Sequence, residues 1–136
     1  MEDCIFCKII EGKIPSARIY EDRDTVAFLD IAPINKGHTL VVPKRHSVNL
    51  LDINEEEAIA VMKTLRKIAK AVSKANGNCA INIEMNNGKE SGQIVFHSHI
   101  HIIPRFENDG HDWKRTHTKY EGNEMRLFAE KIKQFI

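Results

Sequence analysis

The chain has no apolar run approaching the roughly 18 residues of a membrane span. It also shows no excess of charge, with 20 Lys and Arg interspersed among 19 Asp and Glu. A membrane role and a sequence-wide nucleic-acid role are therefore not expected, and any anion recognition must be local. The start, Met1-Glu2-Asp3-Cys4, lacks the basic and apolar regions of a signal peptide, so the expected compartment is cytoplasmic, where thiols stay reduced. Three cysteines among 136 residues provide no disulfide framework, and none is needed, because a chain of this length buries roughly two-thirds of its unfolded surface. Internal repeats, low-complexity segments and linkers are missing too, which leaves one domain over 1–136. No Walker-type phosphate loop and no carboxylate cluster for magnesium appears, so the expected chemistry needs no divalent ion in the active site.

What the chain does have is Phe96-His97-Ser98-His99-Ile100-His101-Ile102-Ile103. Its β-branched and aromatic content reads as a strand, and strand alternation puts His97, His99 and His101 on one face. Imidazole, with an unperturbed pKa of roughly 6.5, serves near neutral pH as acid, base, nucleophile or ligand. Positions i to i+4 on a flat strand lie roughly 13 Å apart, too far for all three to grip one ion as in a three-histidine hydrolase. A division of labour follows, with His97 turned toward a metal and His99 and His101 toward a substrate. The middle member, His99, is the candidate nucleophile.

Cys4-Ile5-Phe6-Cys7 suits a redox dithiol or half of a tetrahedral zinc site. Its place near the N-terminus, rather than between a strand and a helix, favours zinc, with two further ligands among the seven histidines. Cys79 reads as a small buried hydrophobe.

Around these residues the chain is regular. Strands are expected at 17–21 and 25–30 across a 22–24 turn, at 38–43, at 80–85, and in the histidine run. Asn54 with Glu57 resembles a capping box. It opens a long helix whose stripe is Ala58, Val61, Met62, Leu65, Ile68, Ala69 and Val72, and which closes at Gly77. A final helix over about 122–135 carries Met125, Phe128, Ile132 and Phe135. The fold class is α+β, with a mostly antiparallel five-stranded sheet, one long helix and a C-terminal helix. The polar loop Asn86, Asn87, Gly88, Ser91, Gly92 and Gln93 is a candidate phosphate cradle that adds no net charge.

The histidine run resembles the H-φ-H-φ-H-φ-φ signature of the histidine triad (HIT) superfamily of nucleotide hydrolases and transferases. The likeness extends through Ile5-Phe6-Cys7-Lys8-Ile9-Ile10, Phe28-Leu29-Asp30-Ile31, Gly37 to Lys44, Asn86-Asn87-Gly88 and Gly92-Gln93. These blocks look like the Hint-type branch, closest to prokaryotic Hit-like proteins with an N-terminal C-x-x-C. A histidine at 101 is unlike the hexose-1-phosphate uridylyltransferases and Fhit-type enzymes.

The resemblance implies a HIT-like fold and a purine nucleotide substrate, with hydrolysis of the phosphoramidase or dinucleoside polyphosphate type. His99 attacks the α-phosphorus to give a nucleotidyl-imidazole that water resolves. His101 donates toward the phosphate or leaving group, and His38 supports the site from the neighbouring strand. Asn86 and the backbone around Gly92 and Gln93 hold nonbridging oxygens, Asp30 binds the ribose hydroxyls, and Ile5, Phe6, Ile9, Phe28 and Ile31 line the base slot. Cys4, Cys7, His46 and His97 hold a structural zinc. A homodimer with joined sheets is also implied, with Trp113 shaping the other subunit's pocket. The alternative is a nucleotide-binding regulator with incidental hydrolysis. Two residues depart from the pattern. Ser98 occupies an apolar position, and Ile94 replaces a serine that contacts phosphate.

Overall fold

The computed structural model describes residues 3–111 and 115–136; Trp113 lies outside them. The elements are α1 (Ile5–Ile10), β1 (Arg18–Glu21), β2 (Thr25–Leu29), β3 (Thr39–Pro43), α2 (Glu55–Ala75), β4 (Ala80–Glu84), β5 (Ile100–Arg105) and α3 (Glu124–Lys133). A 3-10 turn at Lys89–Ser91 joins β4 to β5. The strands form one sheet of order β1-β2-β3-β5-β4, and each neighbouring pair is antiparallel. This is the α+β architecture that the periodicity implies.

The near-continuous apolar runs of β2 and β3 arise because both faces of these strands are buried. On one face Ala27, Leu29, Val41 and Ile102 pack with Val61, Leu65, Ile68 and Val72 of α2 and with Ala129 and Ile132 of α3. On the other face Val26, Phe28, Leu40 and Val42 pack with Phe6 and Ile9 of α1. Leu40 is the register partner of His101, so the α1 side is the histidine side.

At six residues α1 is too short to hold itself, and sequence periodicity does not reveal it. Its N-terminus is capped by Cys4 Sγ, which accepts from the Cys7 N–H at 3.3 Å. At its other end the Arg18 guanidinium donates to the carbonyls of Ile9 and Ile10. The long helix is capped by Asn54, whose Oδ1 accepts from the Glu57 N–H at 2.9 Å. Glu57 does not complete the box; its carboxylate pairs with Arg45 at 3.5 Å. Met62 leaves the expected stripe at 58% exposure. Thr64 is buried instead, with its hydroxyl 2.7 Å from that of Thr25. Phe135 falls beyond the end of α3 and is half exposed.

The histidine strand begins later than expected, at Ile100. Extending the β3–β5 register one step past Val41↔Ile100 and a second step beyond it sets Pro43 opposite Ser98. Proline has no N–H to give the ladder. The chain before β5 ties itself to residues after β3 instead, through the Ser98 N–H on the Ser47 carbonyl at 2.8 Å.

Candidate active site and metal cluster

Each histidine of the run has one ring nitrogen committed to a main-chain carbonyl or to another imidazole, and these commitments assign the protons. His97 Nε2 donates to the Pro43 carbonyl at 2.8 Å. Its Nδ1 lone pair then faces Cys4 Sγ at 3.4 Å, Cys7 Sγ at 3.5 Å and His46 Nδ1 at 3.2 Å. His46 Nδ1 is also 3.4 Å from Cys7 Sγ. A tetrahedral zinc site with bonds of about 2.0–2.1 Å to nitrogen and 2.3 Å to sulfur has edges of about 3.3–3.8 Å between its ligand atoms. The four edges of 3.2–3.5 Å are on that scale, and all four ligand atoms lie within 4.8 Å of one another. Burial, then the adjacent Cys4 thiol, pushes Cys7 up to about 11, so a Cys7 thiolate needs a compensating cation.

Two residues along, His99 Nδ1 donates to the His97 carbonyl at 2.6 Å. Its Nε2 therefore carries the lone pair. Burial lowers the His99 pKa, which keeps the ring neutral and nucleophilic. Phe6 stands edge-on to His99, with ring centroids 5.0 Å apart, and 5.4 Å from Phe28.

His101 takes its tautomer from a third relay. The Ile34 N–H donates to His38 Nδ1 at 3.1 Å, so the proton of His38 sits on Nε2 and is directed at His101 Nδ1, 2.9 Å away. His101 is left with its N–H at Nε2, as a donor, and its ring lies 5.0 Å from that of His99. Burial first, then neighbouring cationic groups, lowers His38 to about 3 and His101 to about 4. Asp30 lies beside this relay, with Oδ2 at 3.7 Å from His38 Nε2 and Oδ1 accepting from the Ala32 N–H at 2.9 Å. Burial raises the Asp30 pKa.

The departure at Ser98 is accommodated. Its buried hydroxyl lies 2.6 Å from that of Ser47, so no polar atom is stranded on the core side. Nothing in the sequence marks Ser47 as its partner, since the two are 51 residues apart.

Other expected site residues have different roles. Gln93 is 4% exposed and clasps the loop: Oε1 accepts from the Gly88 N–H and from Asn49 Nδ2, while Nε2 donates to the Val48 and Val95 carbonyls. The Gly92 and Gln93 N–H groups are also spent, on the Lys89 and Gly88 carbonyls, so they are not the free donors expected. Gly92 sits at φ +103°, a backbone conformation that favours glycine. Among the described residues the Asn86 amide and the Ile94 and Val95 N–H groups have no hydrogen-bond partner.

Phe6, Ile9 and Phe28 are core residues, 3–7% exposed, while Ile5 and Ile31 stand out at 44% and 74%. The apolar set is thus a buried floor with two exposed flanks rather than an open slot. Arg105 is not available to a phosphate chain, because its guanidinium holds Asp109 at 2.8 and 2.9 Å and Asn82 at 2.7 Å.

The model for the HIT domain family matches residues 11–108. The chain is 46% identical over 136 residues to an uncharacterized HIT-like protein of Borreliella burgdorferi, covering 98% of this chain and 94% of that protein. It is 41% identical over 102 residues to adenosine 5'-monophosphoramidase hnt1 of Schizosaccharomyces pombe, covering 75% of this chain and 74% of that one. Among solved structures, a zinc-bound histidine triad family protein from Mycobacterium smegmatis is similar at a TM-score of 0.83 and 36% identity, over 98% of this chain and 95% of that chain. The match over 11–108, together with likeness along nearly the whole length, means that this chain belongs to the HIT family.

Proposed function

We propose that this HIT-family hydrolase cleaves purine nucleoside phosphoramidates or related nucleotides at the α-phosphorus through a covalent nucleotidyl-His99 intermediate. The observation that carries this reading is the committed Nδ1 of His99, which aims a neutral lone pair at Nε2 beside the His101 N–H. In the first step Nε2 bonds to phosphorus while the bond to the leaving group breaks, its electron pair going to the leaving atom, which takes the Nε2 proton of His101. The positive charge that forms on the His99 ring is stabilised through Nδ1–H by the His97 carbonyl. Water then bonds to phosphorus and gives a proton to His101 Nε2, the P–N bond returns its electrons to His99 Nε2, and a nucleoside monophosphate leaves. Charge on the nonbridging oxygens needs prepositioned donors, and Asn86 with the Ile94 and Val95 N–H groups supplies them. Asp30 takes the ribose, and the base lies over Phe6 between Ile5 and Ile31. The name of the fission-yeast relative, an adenosine 5'-monophosphoramidase, supports this substrate class.

Cys4, Cys7, His46 and His97 hold the zinc in this reading. The ion is a structural cross-link and takes no part in the displacement. It pins α1, and with it Phe6, against the histidine face. The cytoplasm is the compartment that keeps both thiols reduced. Among the described residues β4 has β5 as its one sheet neighbour, and a second copy adding along its other edge gives a homodimer with a continuous sheet. Crystals soaked with adenosine monophosphate test the pocket. The expected density has the base against Phe6 and Ile31 and the phosphate at His99 Nε2; density elsewhere overturns the assignment.

A further inference from the structure

The C-x-x-C pair opens a helix after all, which is the setting of a redox dithiol. Cys4 is the N-cap of α1 and Cys7 its third residue, and the Cys7 N–H donates to Cys4 Sγ at 3.3 Å. The two sulfurs belong to a set of ligand atoms that all lie within 4.8 Å of one another. Both residues are half-buried, within reach of a small solute. Residues i and i+3 on one helical turn have Cβ atoms about 5–6 Å apart, so side-chain rotation and a slight closing of the turn bring sulfur onto sulfur. Cys79 lies outside the cluster, between α2 and β4. Each sulfur of the pair therefore has the other as its neighbouring thiol.

The same two atoms join α1 to the histidine face. Cys4 Sγ and Cys7 Sγ stand 3.4 and 3.5 Å from His97 Nδ1, and Cys7 Sγ stands 3.4 Å from His46 Nδ1. Between the cysteines is Phe6, edge-on to His97, His99 and Phe28. What happens at the sulfurs is thus carried to the floor of the base site. The bonds that set the tautomers of His97 and His99, to the Pro43 and His97 carbonyls, use no sulfur.

We infer that Cys4 and Cys7 are a peroxide-sensitive dithiol as well as zinc ligands, and that their oxidation to a disulfide releases the ion and loosens α1 from the histidine face. The inference rests on the zinc and hydrolase readings above. One thiolate takes an oxygen from the peroxide, giving a sulfenic acid and hydroxide, and the second thiolate attacks that sulfur and expels a second hydroxide. Two protons convert the hydroxides to water, and two electrons have passed from sulfur to peroxide. The disulfide leaves zinc with two imidazoles, too few for a structural site. Cellular thiols reverse the bond, so in a reducing cytoplasm it is transient.

Zinc-loaded protein titrated with hydrogen peroxide tests this, with released ion read by a chromogenic chelator and disulfides mapped in non-reduced peptides. One zinc should leave for each Cys4–Cys7 disulfide formed, Tm should fall, and dithiothreitol with zinc should restore it. Calorimetry should find the affinity for adenosine monophosphate falling about threefold to tenfold on oxidation, the scale of a lost aromatic contact. Cys79→Ser should respond as the wild type does, and Cys7→Ser should form no such bond. Zinc retained while Cys79 is fully oxidised, sulfinic acid in place of the disulfide, or measurable nucleotide affinities that are equal in the two states overturn the inference. A protein that takes up no zinc overturns the inference and the metal assignment together. Zinc release, disulfide and lowered Tm in a protein that binds the nucleotide in neither state uphold the inference and overturn the hydrolase reading alone.

Discussion

The Ser47–Ser98 pair lies directly beneath the histidines, and its removal has a calculable signature. The side chains are 5% and 1% exposed, and each hydroxyl has the other as its partner at 2.6 Å. Replacing either residue by alanine leaves one buried hydroxyl unpaired, at a cost of about 1–3 kcal/mol. Replacing both strands no polar group, and the Ser98 N–H keeps its bond to the Ser47 carbonyl. The double variant should therefore lose about as much as one single variant, and the coupling energy should be about 1–3 kcal/mol. For a domain of this size each kcal/mol moves Tm by about 3–5 °C, so each single variant should melt about 3–15 °C lower. Urea unfolding of the four proteins, with a common m-value, gives the cycle. Additive effects, within about 0.5 kcal/mol, refute the claim that the two hydroxyls satisfy each other.

Zinc at about a thousandfold its Kd should stabilise the fold by about 4 kcal/mol relative to a chelated sample. Cys7→Ala should abolish that response; an equal Tm with and without zinc in the wild type contradicts the metal assignment. Acid should destabilise the protein through His38. Burial and neighbouring cations hold His38 near 3 against 6.5 in the unfolded chain, so the unfolded state binds the extra proton between those values. The contribution of His38 is then complete above pH 6.5 and is lost as pH falls toward 3. In His38→Gln the slope of stability against pH should be shallower by up to about 1.4 kcal/mol per unit, and parallel curves for the two proteins would refute the buried neutral imidazole.

The five strands, the long helix and its Asn54 cap were legible in the sequence because burial there follows period 2 or 3.6. The Cys2His2 set was legible only through resemblance. Spacing alone supplied Cys4 and Cys7, and His46 and His97 reach them through tertiary folding. What escaped reading depends on contacts remote in sequence. Helix α1 exists through Arg18 and the sheet beneath it, not through its six residues. The late start of β5 follows from Pro43 on another strand. Gln93 sits in a polar loop, where its type fits ligand binding equally well, and only its four internal bonds show that it braces the loop.

The most direct measurement follows the fate of His99 in a single turnover. Rapid quenching of enzyme in excess over labelled adenosine phosphoramidate, followed by peptide mapping, should find transient label on the peptide holding His99. The label should be absent from His99→Ala, together with turnover. Unlabelled His99 alongside undiminished hydrolysis by His99→Ala would contradict the proposed attack by Nε2.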